Sequence, residues 1–86
     1  MAVYSVALAA SARKELYNLP RQELTRVHHR LVTLAATPRP HGCQKLAGAE
    51  DLYRIRQGDY RIVYQVTDAT HAVLVLRIRH RKDAYR

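Results

Sequence analysis

A lone cysteine, Cys43, leaves no partner for an intrachain disulfide, and one reduced loop thiol fits a cytoplasmic chain. Tryptophan and phenylalanine are absent. A helix that lies on a membrane surface opposes Lys/Arg to such aromatics, so a membrane partner is not expected. The three glycines are scattered, which excludes a Gly-rich phosphate loop. His28 and His29 are neighbours on a helix and point in different directions, not the i, i+4 pair of a helical zinc site. No cysteine or carboxylate completes a shell around them, so neither a metal nor another cofactor is expected. The first residues, MAVYSV, run straight into a strand-like pattern with no charged leader, and no signal peptide is expected.

Acid is scarce. Seven Asp+Glu face fifteen Lys+Arg in 86 residues, a formal net charge of +8. A charge of that size attracts polyanions through a term that salt screens, which points to nucleic acid or an acidic protein partner. A chain of this length is one domain, 1–86, with a single modest core.

The chain shows no repeat, low-complexity segment or linker. Residues 3–8 are rich in β-formers and predict a first strand. From Ser11 the spacing of Ala12, Leu16 and Leu19 predicts a helix. Pro20 suits the first position of a second helix, with Glu23 complementing its dipole. Leu24, Val27, Leu31 and Leu34 give that helix its apolar stripe, and Thr37-Pro38 stops it. Residues 38–42 form a loop and Lys45-Leu46 leads inward. Three segments then alternate with period two: Leu52 to Gln57, Tyr60 to Thr67, and residues 72–79. Gly58-Asp59 and residues 68–71 are the turns. The expected class is α+β, with order β-α-α-β-β-β and a two-helix hairpin on one face of a small, mostly antiparallel sheet.

Residues 52–66 read LYRIRQGDYRIVYQV, and neither strand within that run carries an acid. Alternation puts Arg54 and Arg56 opposite Tyr53 and Ile55. Arg61 opposes Tyr60, Ile62, Tyr64 and Val66, and Arg77, Arg79 and Arg81 oppose Leu74, Leu76 and Ile78. If the helices cover the Tyr/Ile/Leu faces, six arginines share the other side, and only a one-residue bulge reverses part of this assignment. Like charges on adjacent strands cost roughly 0.2 to 1 kcal/mol a pair, so a merely solvated face would intersperse acids. Arginine grips phosphate bidentately, and the pattern favours anion binding.

The run YRIRQGDYRIVYQV, with the ending RIRHRKDAYR, resembles the RelE family of bacterial and archaeal toxins within the RelE/ParE superfamily. ARKELYNLP, PRPHGCQKLAG and the His-Arg-x-x-x-Tyr ending extend the resemblance over essentially the whole chain. It implies a ribosome-dependent messenger-RNA endonuclease that inhibits translation and arrests growth. Its implied partners are the ribosome, mRNA and a cognate antitoxin, through which the complex binds its own operator DNA. The implied catalytic set is Arg54, Arg56, Arg61, Arg81 and Tyr85. Arg61 and Arg81 would stabilise the phosphorane formed when the 2′-hydroxyl attacks.

The best-known members are similar but carry lysines where this chain has Arg54 and Arg56. Arginine, with a pKa above about 12, is a poor proton carrier. Tyr85 is a candidate in its place, made more acidic by nearby arginines, and is equally a stacking platform for a base. His80 has the most suitable intrinsic pKa, yet strict alternation puts it with Ile78 on the core side. Lys45, Arg77, Arg79 and Lys82 are candidate RNA contacts. Two alternatives stay open: a ParE-like toxin acting on DNA gyrase, and a degenerate toxin that only binds its partner.

Overall fold

The computed structural model describes residues 3–48 and 50–82. Strand β1 (Ser5–Leu8) leads into helix α1 (Ala10–Tyr17), a short connection, and helix α2 (Arg21–Thr33). Strands β2 (Gln44–Lys45), β3 (Leu52–Gln57), β4 (Tyr60–Thr67) and β5 (Ala72–His80) follow, with a 3-10 turn at Asp68–Thr70. They form one five-stranded sheet of order β1-β5-β4-β3-β2. β1 runs parallel to β5, and every other pairing is antiparallel. The expected α+β class and helical hairpin are present, with one strand more than the pattern predicted. Two residues with both side chains exposed carry no alternation to read, so β2 emerges only from its pairing with Tyr53 and Arg54.

The helices cover one face. Ala12 and Leu16 of α1, and Val27, Leu31 and Leu34 on or just after α2, meet Ile55, Ile62, Tyr64, Val66, Val73, Val75 and Ile78 from the sheet. Pro20 precedes the second helix rather than opening it; its carbonyl accepts the Leu24 N–H at 2.8 Å. α2 ends at Thr33, four residues before Thr37.

The faces of β3 and β4 are as alternation predicts, but β5 corrects the expectation. Val73 and Val75 are buried, while Leu74, paired with Gln65, and Leu76 are only partly buried. The cause is a bulge: Val63 pairs with Arg77 and Tyr64 with Val75, which leaves Leu76 as the extra residue. Beyond the bulge the phase is restored, and Ile78 is buried again. A run of apolar residues on both sides of a central strand hides such a slip from any sequence pattern.

β1 is four residues and β5 nine, so the second half of β5 has no strand on that side. α1 takes its place. The Ser11 hydroxyl donates to the Leu76 carbonyl at 3.0 Å, and the Ile78 N–H donates to Glu15 Oε1 at 2.8 Å. One helical turn thus satisfies the backbone groups that a longer β1 would have paired.

At the far end, Arg39 donates to both carboxylate oxygens of Asp68, at 3.1 and 2.8 Å, and to the Tyr53 hydroxyl at 2.9 Å. Tyr4 donates to the same Asp68 at 2.6 Å. This clasp fastens the loop after α2 to both the β4–β5 turn and the start of the chain.

Candidate nucleic-acid interface

The register across β3, β4 and β5 arranges the arginines in rows. Arg56, Arg61 and Arg79 stand directly opposite one another on the three strands. The next row is Ile55, Ile62 and Ile78 on the helix side, and the next is Arg54, Val63 and Arg77. Side chains directly opposite across an antiparallel pair point to the same face, so the two arginine rows share the side away from the helices.

Arg81 joins from just beyond β5. Its backbone N–H donates to the Asp59 carbonyl at 2.7 Å, and its Nε lies 3.8 Å from Asp59 Oδ1. The β3–β4 turn holds Asp59 there, with Gly58 at φ 60°, a left-handed conformation that suits glycine. Together Arg56, Arg61 and Arg81, with Gly58, Asp59 and Tyr60, line a hollow of about 70 Å³. A second, of about 140 Å³, lies beside it between Arg61, Val63, Arg77 and Arg79. Arg61 borders both.

The strands themselves carry no acid among the arginines, but neighbouring elements supply two. Glu15 of α1 accepts from Arg77 at 3.3 and 2.9 Å, and its Oε2 lies 3.8 Å from Arg79 Nε. The hydrogen bond it donates to Glu15 holds the Arg77 guanidinium above its ordinary pKa. Asp59 is the second. Gln44 on β2 accepts a hydrogen bond from Arg54. Glu15, Asp59 and Gln44 had no sequence signal: a helix residue, a turn residue and an edge residue become neighbours of the arginines only through the fold.

Lys45 pairs with Tyr53 and so shares the helix-side face, not the arginine face. Lys82 is exposed just past the sheet end, and its backbone N–H donates to His80 Nδ1 at 3.2 Å. That bond leaves the proton of a neutral His80 on Nε2. His80 is half-buried on the helix side, as alternation predicted, with its ring edge-on to Tyr60 at 5.3 Å. It stands around the sheet end from the arginines. Tyr85 lies outside the described residues. Among the described residues no group of three or more His, Cys, Asp or Glu side chains could hold a metal ion. No helix there is long and apolar enough to cross a membrane.

Residues 6–85 match the family described as the ParE toxin of the type II toxin–antitoxin system parDE. The chain belongs to the RelE/ParE family of type II toxins. Toxin RelE of Mycobacterium tuberculosis is 33% identical over 84 residues, covering 96% of this toxin and 87% of that one. Toxin RelG of the same organism is also 33% identical, over 87 residues, covering 96% and 97%. Among solved structures, the toxin resembles a chain of the RelBE2 toxin–antitoxin complex of M. tuberculosis, with a TM-score of 0.82 and 28% identity over 93% of each chain. It resembles the archaeal RelE–RelB complex of Pyrococcus horikoshii equally well, with a TM-score of 0.82 and 31% identity over 92% of this toxin and 96% of that chain.

Proposed function

We propose that this toxin is a messenger-RNA endonuclease that acts on the ribosome in the cytoplasm, arrests translation, and is held inactive by a cognate antitoxin. The observation that carries the reading is the row Arg56–Arg61–Arg79 together with Arg81, which surrounds the hollows with guanidinium groups. A sheet face of this kind receives phosphates, and salt-dependent affinity follows from it.

In the proposed reaction the RNA 2′-hydroxyl oxygen attacks the adjacent phosphorus and the bond to the 5′-oxygen breaks, leaving a 2′,3′-cyclic phosphate and a new 5′-hydroxyl. Arg61 and Arg81 stabilise the extra negative charge of the phosphorane. Arg54, Arg56, Arg77 and Arg79 hold the flanking backbone. A base takes the 2′-hydroxyl proton and an acid returns one to the 5′-oxygen. Tyr85 is the proposed proton carrier, since His80 faces the helix side and the arginines are too basic.

RelB–RelE complexes among the similar structures support a proteinaceous antitoxin for this chain. An acidic or amphipathic antitoxin segment would supply negative charge to the arginine face, and the pair would bind its operator DNA through the antitoxin. The matched family description is that of ParE, which favours a second reading, inhibition of DNA gyrase by protein contact. One experiment separates them. Purified toxin is added to translating ribosomes and new 5′ ends on the message are mapped, beside a gyrase supercoiling assay. Ribosome-dependent cleavage is expected; gyrase inhibition without cleavage would replace the nuclease reading with the second.

A further inference from the structure

A hollow of about 260 Å³ lies not on the arginine face but around the end of the sheet, between the last turn of α1 and the ends of β4 and β5. Tyr60 and His80, edge to face, form an aromatic wall. Leu19 and Ile78 give it an apolar lining, and Asn18, the residue that closes α1, offers a side-chain amide with both donors and an acceptor. Glu15 also borders it, with its charge already offset by Arg77, Arg79 and the Ile78 N–H.

This hollow adjoins both cationic ones. Tyr60 also lines the hollow of Arg56, Arg61 and Arg81, and Arg79 also lines that of Arg61 and Arg77. We infer that the sheet-end hollow is a nucleobase pocket: a phosphate held on the arginine face places its own or the adjoining base over the sheet end, against Tyr60 and His80, with its polar edge at Asn18. An aromatic ring face, an apolar lining and one amide are the groups by which proteins hold unstacked RNA bases. The inference rests on the proposal that the arginine face binds RNA phosphate, and it adds a determinant of which nucleotide is accepted.

The test uses the whole isotopically labelled chain, titrated by NMR with AMP, GMP, CMP and UMP and with ribose 5-phosphate, which carries the phosphate but no base. At least one nucleotide is expected to shift the Asn18 side-chain amide and the His80 ring, and to bind about tenfold more tightly than ribose 5-phosphate. Asn18→Ala is expected to lose several-fold of that advantage without changing ribose 5-phosphate binding. Its backbone contacts to Leu16 and Lys14 do not involve the side chain. Equal binding of nucleotides and ribose 5-phosphate, with shifts confined to the arginines, overturns the pocket and leaves the phosphate-binding reading standing. Nucleotide shifts at Asn18 and His80 without any at the arginines uphold the pocket and overturn that reading. Absence of all shifts overturns both.

Discussion

Glu15 of α1 grips Arg77 of β5 with both carboxylate oxygens, at 3.3 and 2.9 Å. The same carboxylate accepts the Ile78 N–H. Two roles meet in one side chain: a backbone partner for the open half of β5, and a counter-charge at the border of the arginine face.

Separating those roles gives a prediction. Glu15→Gln retains an oxygen for the Ile78 N–H but loses the charge, whereas Glu15→Ala loses both. Denaturant unfolding should show the alanine variant destabilised by about 1 to 2 kcal/mol and the glutamine variant by less. With Arg77 and Arg79 released to phosphate, Glu15→Gln should bind single-stranded RNA more tightly and with a steeper salt dependence. Unchanged RNA affinity would show that Glu15 serves the fold alone.

Arg61→Ala and Arg81→Ala should each reduce message cleavage by at least about 100-fold, the usual cost of removing one preorganised charge donor to a transition state. Arg81 is exposed and Arg61 half-buried, so both variants should keep the wild-type circular dichroism and melt close to the parent. Growth arrest on expression, scored beside cleavage, checks the assignment; two fully toxic variants would refute it.

Restoring lysine tests the proton question. Lysine titrates near 10.4 and its pKa falls beside other cations, whereas arginine keeps its proton throughout. Arg54→Lys with Arg56→Lys should therefore raise the single-turnover cleavage rate and change its pH profile from that of the parent. A slower double variant with an unaltered pH profile would show that these positions only hold the backbone.

The clasp at Asp68 makes stability depend on pH in a defined direction. Its carboxyl is held below the ordinary 3.8, first by the hydrogen bond from Arg39 and then by that from Tyr4. A carboxyl lowered in the folded state contributes stability above its ordinary value, and that contribution disappears as pH falls through the lowered one. Tyr4, bonded to Asp68, is pushed above its ordinary 10.0, so its contribution is present below that value and disappears as pH rises through the raised one. Melting temperatures from pH 2 to 5 should fall with acid less steeply in Asp68→Asn than in the parent. Equal slopes would show that the clasp is not linked to the acid limb.

Ile62 is fully buried in the row between the two arginine rows. Ile62→Ala should cost about 3 kcal/mol in chemical unfolding, a large share of a small domain's stability. Because the same strand carries Arg61 and Val63, cleavage should fall with it only near the unfolding transition.

The arginine face was legible because β3 and β4 alternate without interruption, and Arg54, Arg56 and Arg61 inherit their side from that period. β5 was only half legible. Its apolar run, Val73 to Leu76, satisfies either phase, so the bulge that buries Val73 and Val75 cannot be read from residue types. The face of Lys45 was not legible for a related reason, since it depends on pairing with Tyr53 across an edge strand too short to show a period. Glu15 and Asp59 were invisible as neighbours of the arginines because long-range packing, not spacing, brings them there.

The parallel pairing of β1 with β5 bears on how the toxin comes into being. Ser5–Leu8 finds its partner only at residues 72–75, so closing the sheet takes a contact across most of the chain, the slow kind of pairing. During synthesis β1 waits for β5 to leave the ribosome, and the row that needs Arg79 waits with it. A nascent chain is therefore unable to present its full row of guanidinium groups to the ribosome that is making it.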